Sequence, residues 1–218
     1  MKDDRSNAIE DKIIEAAKQI FVLKGYEATT MADIAAEVGI SRSSMHYYFR
    51  TKETVFRAIF LKLIGGILPN LEAIISEKTS ILEKLPSLIE AYMSALKENP
   101  LFPFFMLNEV NRTPQHVIIA IRELQTHVQP IVKLYEQIED EMRRGLIKTL
   151  SLVDLLSVFL GSLVFPLLAR NIFTHVFMDG QTEVFNKFLE GRAPFIYDVM
   201  YNLLAPRETV LPASEGNA

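Results

Sequence analysis

The sequence predicts an all-α chain, with a small three-helix unit followed by a larger helical body. Three observations lead there. Apolar residues recur at three- and four-residue intervals through most of the 218 residues, and no alternating strand pattern or internal repeat interrupts them. Capping residues stand ahead of the helical runs at Thr30, Ser41, Thr51 and Ser151, while Gly or Pro closes them. Two short helical runs meet at Gly39 across a turn of three to four residues, the spacing of a helix-turn-helix.

Residues 1–6 are polar and expected to fray. Asn7 and Glu10 have the spacing of a capping box, and Ile13, Ala17, Ile20 and Phe21 form one face of a first helix that Gly25 ends. Thr30 and Asp33 make a weaker box ahead of a helix starting near Met31, with Ile34 and Val38 on one face. Gly39 follows where a positive φ is needed, Ile40 plugs the turn, and Ser41 caps a helix with Met45, Tyr48 and Phe49 inward. Ala35 is small where these two helices cross. Thr51 caps a fourth helix that buries Val55, Phe56, Ile59, Phe60 and Leu63. Gly65-Gly66 and Pro69 cost about 1 and about 3 kcal/mol in a helix interior, so a kink or break is expected there, a candidate joint between domains.

Ile81 to Lys97 carries Leu85, Leu88, Ile89, Tyr92, Met93 and Leu96 at helical spacing and stops at Asn99-Pro100. Leu101 to Val110 is short and dense in aromatics. Thr113-Pro114 opens a long helix reaching about Arg144, kinked at Pro130 and ended by Gly145. Ser151 caps an apolar run extending to Phe173. Its uncharged part, Leu155 to Ala169, is broken by Pro166 and falls short of the roughly twenty residues a membrane span needs, so a buried helix is expected. After Met178-Asp179-Gly180 a last helix, about Thr182 to Leu204, bends at Gly191 to Pro194 and ends at Pro206. The boundaries expected are 1–51 for the small domain, 52–205 for the body and 206–218 for a mobile tail.

The formal charge of −4 is unevenly spread. Between Ser41 and Lys62, Arg42, Arg50, Lys52, Arg57 and Lys62 face only Glu53, so a locally basic segment sits on an acidic chain. Such a distribution suits phosphate binding by one end without adhesion of the whole protein. The chain lacks Cys, which excludes disulfides, thiolate metal sites and cysteine nucleophiles and suits a reducing cytoplasm. No signal peptide is expected from MKDDRSNA. The four His residues show no metal-binding spacing, and there is no Gly-rich phosphate loop or GxSxG elbow, so neither an enzyme nor a cofactor is expected.

The run Phe21, Gly25-Tyr26, Thr29-Thr30, Ile34-Ala35, Gly39-Ile40-Ser41, Tyr47, Phe49 and Lys52-Glu53 resembles the amino-terminal signature of TetR/AcrR transcriptional regulators. The resemblance covers roughly residues 9 to 60. Ser43, where Gly, Pro or Ala is common, and His46, where Tyr is usual, depart from it and hide the operator. In helix-turn-helix proteins the start of the second helix meets base edges, which places Arg42, Ser43, Ser44 and Tyr47 at a double-stranded DNA operator, Arg42 as the bidentate guanine reader. Thr30, His46, Tyr48 and Lys52 fit the phosphate-anchoring places of similar proteins. A protonated His46 on a phosphate would make binding tighten as pH falls through the ordinary histidine range.

For the body, the resemblance implies a homodimer whose last two helices form a four-helix interface, here with Leu156, Leu160, Leu163, Phe188, Phe195 and Val199. Two heads about 34–36 Å apart would then meet successive major grooves. It also implies a pocket for a small, largely apolar effector, lined from Tyr92, Met93, Phe102, Phe105, Met106, Phe159 and Phe165, with Asn108, Glu109, Arg122, His127 or Tyr135 for polar orientation. Effector binding is expected to shift the heads through the helix around Thr51 to Leu68. The function expected is a repressor released by that effector. The alternative is a helix-turn-helix protein controlled by a protein partner, which a packed interior beneath an exposed apolar patch would favour over a cavity.

Overall fold

The computed structural model describes residues 4–112, 115, 118 and 129–206. The described residues are helical, with no strand among them. The head consists of α1 (Asp4–Lys24), α2 (Met31–Val38) and α3 (Arg42–Tyr48), and α4 (Lys52–Ser76) carries the chain out of it. Helix α1 already runs at Asp4, so residues 4–6 are helical and Asn7 is an exposed interior position, not a cap. A cap-like pair marks an entry only where the preceding chain cannot be helical, and no Gly or Pro precedes Asn7 to stop the helix running back.

Helix α2 starts on a complete capping box. The Asp33 amide donates to Thr30 Oγ1 at 3.1 Å, and the Thr30 amide donates to Asp33 Oδ2 at 2.8 Å. It ends at Gly39, whose φ of 74° lets the Ile40 amide reach Ala35 O at 3.0 Å and its own amide reach Ala36 O at 3.2 Å. No atom crowds the space a Cβ would fill there, so the backbone angle alone requires glycine. The angle between α2 and α3 is locked beneath by Ile34, Ala35 and Met45, all buried.

The break expected as one alternative in α4 is absent: one helix of 25 residues passes through Gly65-Gly66 and Pro69. Its start packs Val55, Phe56, Ile59 and Phe60 into the head core, and Ile75 is buried near its end. Tertiary packing at both ends outweighs local penalties of a few kcal/mol. The head core therefore extends beyond residue 51, and it also takes in Phe105, fully buried, from α6 (Phe102–Arg112). Phe105 lies 5.1 Å from Phe56 and 6.3 Å from Phe21, ring centre to ring centre.

The body is built from α5 (Ile81–Glu98), α7 (Gln129–Arg143), α8 (Leu152–Leu168) and α11 (Arg192–Leu204), with α5 packed against α4, α7 and α11. Ser80 and Ser151 cap α5 and α8. After α8 come a short turn α9 (Arg170–Ile172), a π-helical turn over Phe173–Phe177 and α10 (Thr182–Glu190). The last helix is broken rather than bent: Gly191 separates α10 from α11, and Pro194 falls in the first turn of α11, where a missing N–H costs nothing. The Thr113-Pro114 helix start and the approach to the Pro130 kink lie outside the described residues, as do residues 207–218 of the tail. Among the described residues no single helix is long and apolar enough to cross a membrane. Helix α8 with Arg170–Phe177 has sufficient length and composition only as a pair bent by 60°.

Candidate nucleic-acid interface and the interior of the body

Helix α3 is sharply two-sided. Met45 is fully buried while Arg42, Ser43, Ser44, His46 and Tyr47 are all exposed. The Ser44 amide donates to Ser41 Oγ at 3.1 Å, and the Ser43 and Ser44 hydroxyls each lie 2.9 Å from that oxygen. Both serines thus present hydroxyls at the start of the helix, next to Arg42. Tyr47 is 79% exposed, unusual for so large a ring, and is held edge-on by Tyr48 at 5.2 Å. Tyr48 is half-buried against the head core, which leaves its ring a packing role.

Two predicted phosphate anchors are engaged within the protein. The Thr30 hydroxyl lies 2.8 Å from Asp33 Oδ2 as donor, and these bonds, the backbone one foremost, hold the Asp33 carboxyl below the usual range. Lys52 Nζ donates to Tyr26 O at 2.6 Å and Glu27 O at 3.2 Å, and sits 4.3 Å from the centre of the Tyr26 ring. It fastens the α1–α2 turn with two of its three ammonium hydrogens. Lys62 pairs with Asp11 at 2.8 Å, tying α4 to α1. The free basic charge of the head is thus smaller than the residue count suggests, and Arg42 and Arg50 stand exposed beside α3.

In the body, a cavity of about 230 Å³ lies among α4, α5, α7, α8 and α11. Leu71, Leu85, Leu88, Leu134, Ile138, Leu155 and Met200 form much of its wall, and Tyr92, Tyr135 and Phe159 also face it. Tyr92 meets Phe159 edge-on at 5.8 Å, and burial pushes its phenol pKa up. Met93 belongs to the adjoining core. The other predicted pocket residues lie elsewhere. Phe102, Phe105 and Met106 pack into or against the head core, because the short aromatic helix, although it also touches α8, turns these side chains toward α1. Phe165 is exposed on the far side of α8. The side chains of Asn108 and Glu109, and His127 and Arg122 altogether, lie outside the described residues.

Helix α8 departs from the dimer prediction at one position, Leu163. Leu163 is buried in the body core and Leu160 is partly covered at the cavity, while Leu156, which also borders the cavity, stays 39% exposed beside an outward stripe of Val153, Ser157, Gly161 and Phe165. An apolar face continues from it over Ile172, Val176, Phe177 and Phe195, all at least half exposed. Phe188 and Val199 are partly covered beside it. An open cleft of about 730 Å³ on this face includes Phe165, Phe173, Phe177 and Arg192. Although larger than the interior cavity it is wide open, and it reads as relief on the apolar face. Arg192 donates to Ser162 O at 2.7 Å and stacks on Phe188 and Phe195 at 5.2 and 5.0 Å.

Sequence reasoning missed a buried polar cluster beside the cavity. Lys84, 1% exposed, donates to Ile75 O of α4 at 2.7 Å and to Gln137 Oε1 of α7 at 2.8 Å. Gln137 Nε2 donates to Glu141 Oε1 at 2.7 Å and to Thr79 O at 2.8 Å, and Glu141 accepts from the Ile81 amide at 3.0 and 3.1 Å. Burial pushes the Lys84 pKa down and the Glu141 charge opposes that shift. One signal was available: Lys84 interrupts the apolar face of Ile81, Leu85 and Leu88.

Residues 13–59 match the family model described as bacterial regulatory proteins, tetR family. The fatty acid metabolism regulator protein of Bacillus subtilis is 29% identical over 85 residues, 39% of this chain and 44% of that protein. The HTH-type transcriptional repressor KstR2 of Mycolicibacterium smegmatis is 26% identical over 133 residues, 60% of this chain and 65% of its own length. The chain thus spans less than two thirds of either relative. The solved structure of a TetR family transcription regulator from Marinobacter aquaeolei VT8 superposes with a TM-score of 0.65 at 17% identity, covering 93% of this chain and 98% of the other, a likeness of fold.

Proposed function

We propose that this chain, which belongs to the TetR family of bacterial regulatory proteins through its amino-terminal domain, is a DNA-binding transcriptional repressor that acts in the cytoplasm and is released by a small, largely apolar effector. The observation that carries the reading is the two-sided α3, with one fully buried methionine beneath five exposed polar side chains. Phosphate contacts supply most of the affinity and base-edge contacts the choice of sequence. Arg42, Ser43, Ser44 and Tyr47 stand at the bases, with His46, Arg50 and the remaining hydrogen of Lys52 toward phosphate.

The operator-binding species is a homodimer on a palindromic site, joined through the apolar face of Val153, Phe165, Phe177 and Phe195. Isologous pairing removes that surface from water and sets two heads against successive grooves. Asp at positions 165 and 195 together, as Phe165→Asp and Phe195→Asp, should leave a monomer in analytical ultracentrifugation with helicity intact. The interior cavity favours a small effector over control by a protein partner. Leu71 of α4 walls the cavity while Val55 to Phe60 of the same helix fill the head core, so a change in cavity shape has a continuous path to the head. The effector acts through its different affinity for the operator-competent and incompetent arrangements.

Fluorescence anisotropy on the DNA upstream of the protein's own gene, titrated with salt, tests the reading. Nanomolar binding with a steep salt slope is expected, weakened about tenfold or more by Arg42→Ala and by Tyr47→Ala. Weak binding indifferent to both substitutions, on this DNA and in a genome-wide DNA selection, would remove α3 from the role of reader.

A further inference from the structure

The cavity wall restricts the chemistry of its occupant further than size alone. Its sixteen described lining residues include no nitrogen-bearing side chain and no carboxylate, and the only side-chain oxygens are the hydroxyls of Tyr92 and Tyr135. Among the described residues, the ionic groups of the adjoining polar cluster are already answered. Glu141 accepts from Ile81 and Gln137, while Lys84 donates to Ile75 and Gln137. Gln137 joins the two, so the cluster presents the cavity with balanced charge. A carboxylate, phosphate or ammonium placed among these leucines would lose its hydration with no counter-charge among the described residues to replace it.

Size narrows the class again. The 230 Å³ exceeds the ~150 Å³ that holds a benzene-sized guest and lies below the ~300–1,000 Å³ of pockets for drug-sized ligands. Tyr92 stands at one side with its ring fixed against Phe159, and no described group accepts from its hydroxyl. From this arrangement we infer that the effector is an uncharged hydrocarbon skeleton bearing one hydroxyl or carbonyl, oriented by hydrogen bonding to Tyr92 with Tyr135 as the second polar contact. This rests on the cavity being the effector site, and it separates the ligand from the anionic fatty acids and their coenzyme A thioesters. A regulator of fatty-acid metabolism, as one relative is named, need not sense the acid itself.

The test uses the full-length protein with three probes of one chain length, 1-decanol, decane and decanoate at pH 8, by isothermal titration and by release from operator DNA. Decanol should bind at least about 100-fold more tightly than decanoate, since only the acid carries a charge into the apolar wall. Tyr92→Phe should weaken decanol about tenfold and leave decane unchanged, the signature of one lost hydrogen bond. Leu85→Trp, or Leu134→Trp should the first fail to fold, fills the cavity and should abolish decanol binding. Decanoate or decanoyl-coenzyme A binding as tightly as decanol, and lost in the tryptophan variant, would overturn the inference. So would decanol binding indifferent to Tyr92→Phe and Tyr135→Phe together. Binding of no probe would overturn both the inference and the use of the cavity as effector site. Operator binding by the unliganded protein, measured in parallel, separates either failure from a failure of the repressor reading.

Discussion

The two cores of this chain solve different problems. Beneath the reading helix the core is a closed cluster centred on Phe21, Tyr26, Phe56 and Phe105, with Tyr26 edge-on to Phe56 at 5.6 Å. The body core is aliphatic, includes a void, and carries a buried lysine and a buried glutamate beside it. Rigid packing suits the surface on which Arg42 and Tyr47 are proposed to meet base edges. A void and a polar cluster cost stability, yet they give the body something to change when a ligand arrives.

The largest effect should come from the side chain that joins the two. Phe105→Ala removes a fully buried ring from the head core and should cost about 3–5 kcal/mol by chemical denaturation. If the head and body are one packed unit, both parts lose stability together. Loss confined to the body would contradict the place of α6 in the head core.

Next comes the polar cluster. Glu141→Ala leaves the Ile81 amide without its acceptor and Lys84 without its balancing charge, and should cost about 3 kcal/mol. The double variant with Lys84→Met should recover part of that loss, because removing both charges is less harmful than stranding one. Additive losses in the double-mutant cycle would mean the two residues act separately.

The smallest effects sharpen the comparison, since head and body share one device. Thr30 with Asp33 and Ser80 with Glu83 are the same capping box, and Thr30→Ala or Ser80→Ala should each cost about 1 kcal/mol. Both carboxyls are held below their ordinary values, first by the amide of the cap residue and then by its hydroxyl. Their contribution is therefore complete above about pH 4, where the unfolded carboxylates ionise, and is lost as pH falls through the lower native values. Asp33→Asn and Glu83→Gln should each flatten the acid limb of stability against pH, and an unchanged limb would remove the box from that role.

The head was legible because its signals are local. Thr30, Gly39, Ser41 and Thr51 act within four residues of themselves, and each occupies the cap or turn its chemistry demands. The body was legible in its helices and not in their facing. Helix α8 is apolar all round, so no periodicity tells an inward leucine from an outward one: Leu163, expected at a dimer interface, is buried in the body core, while Leu156 stays 39% exposed. The continuity of α4 escaped for a related reason: propensity weighs Gly65, Gly66 and Pro69 alone, while the packing that holds the helix at both ends comes from distant residues. Lys84 meets Gln137 across 53 residues of sequence and the Ile81 amide meets Glu141 across 60, so the cluster closes only through tertiary structure.

Regulators of this kind invite recombination, with one protein's head grafted to another's body to place a new sensor over a known operator. The burial of Phe105 puts a condition on that exercise. A junction drawn at Thr51 would transplant a head lacking Phe56, Phe60 and Phe105, and the recipient body would have to offer rings at the same places. Matching the linker helix is then insufficient: a working chimera has to carry α6 with the head, or rebuild the surface of Phe21 and Phe56 around whatever the new body presents.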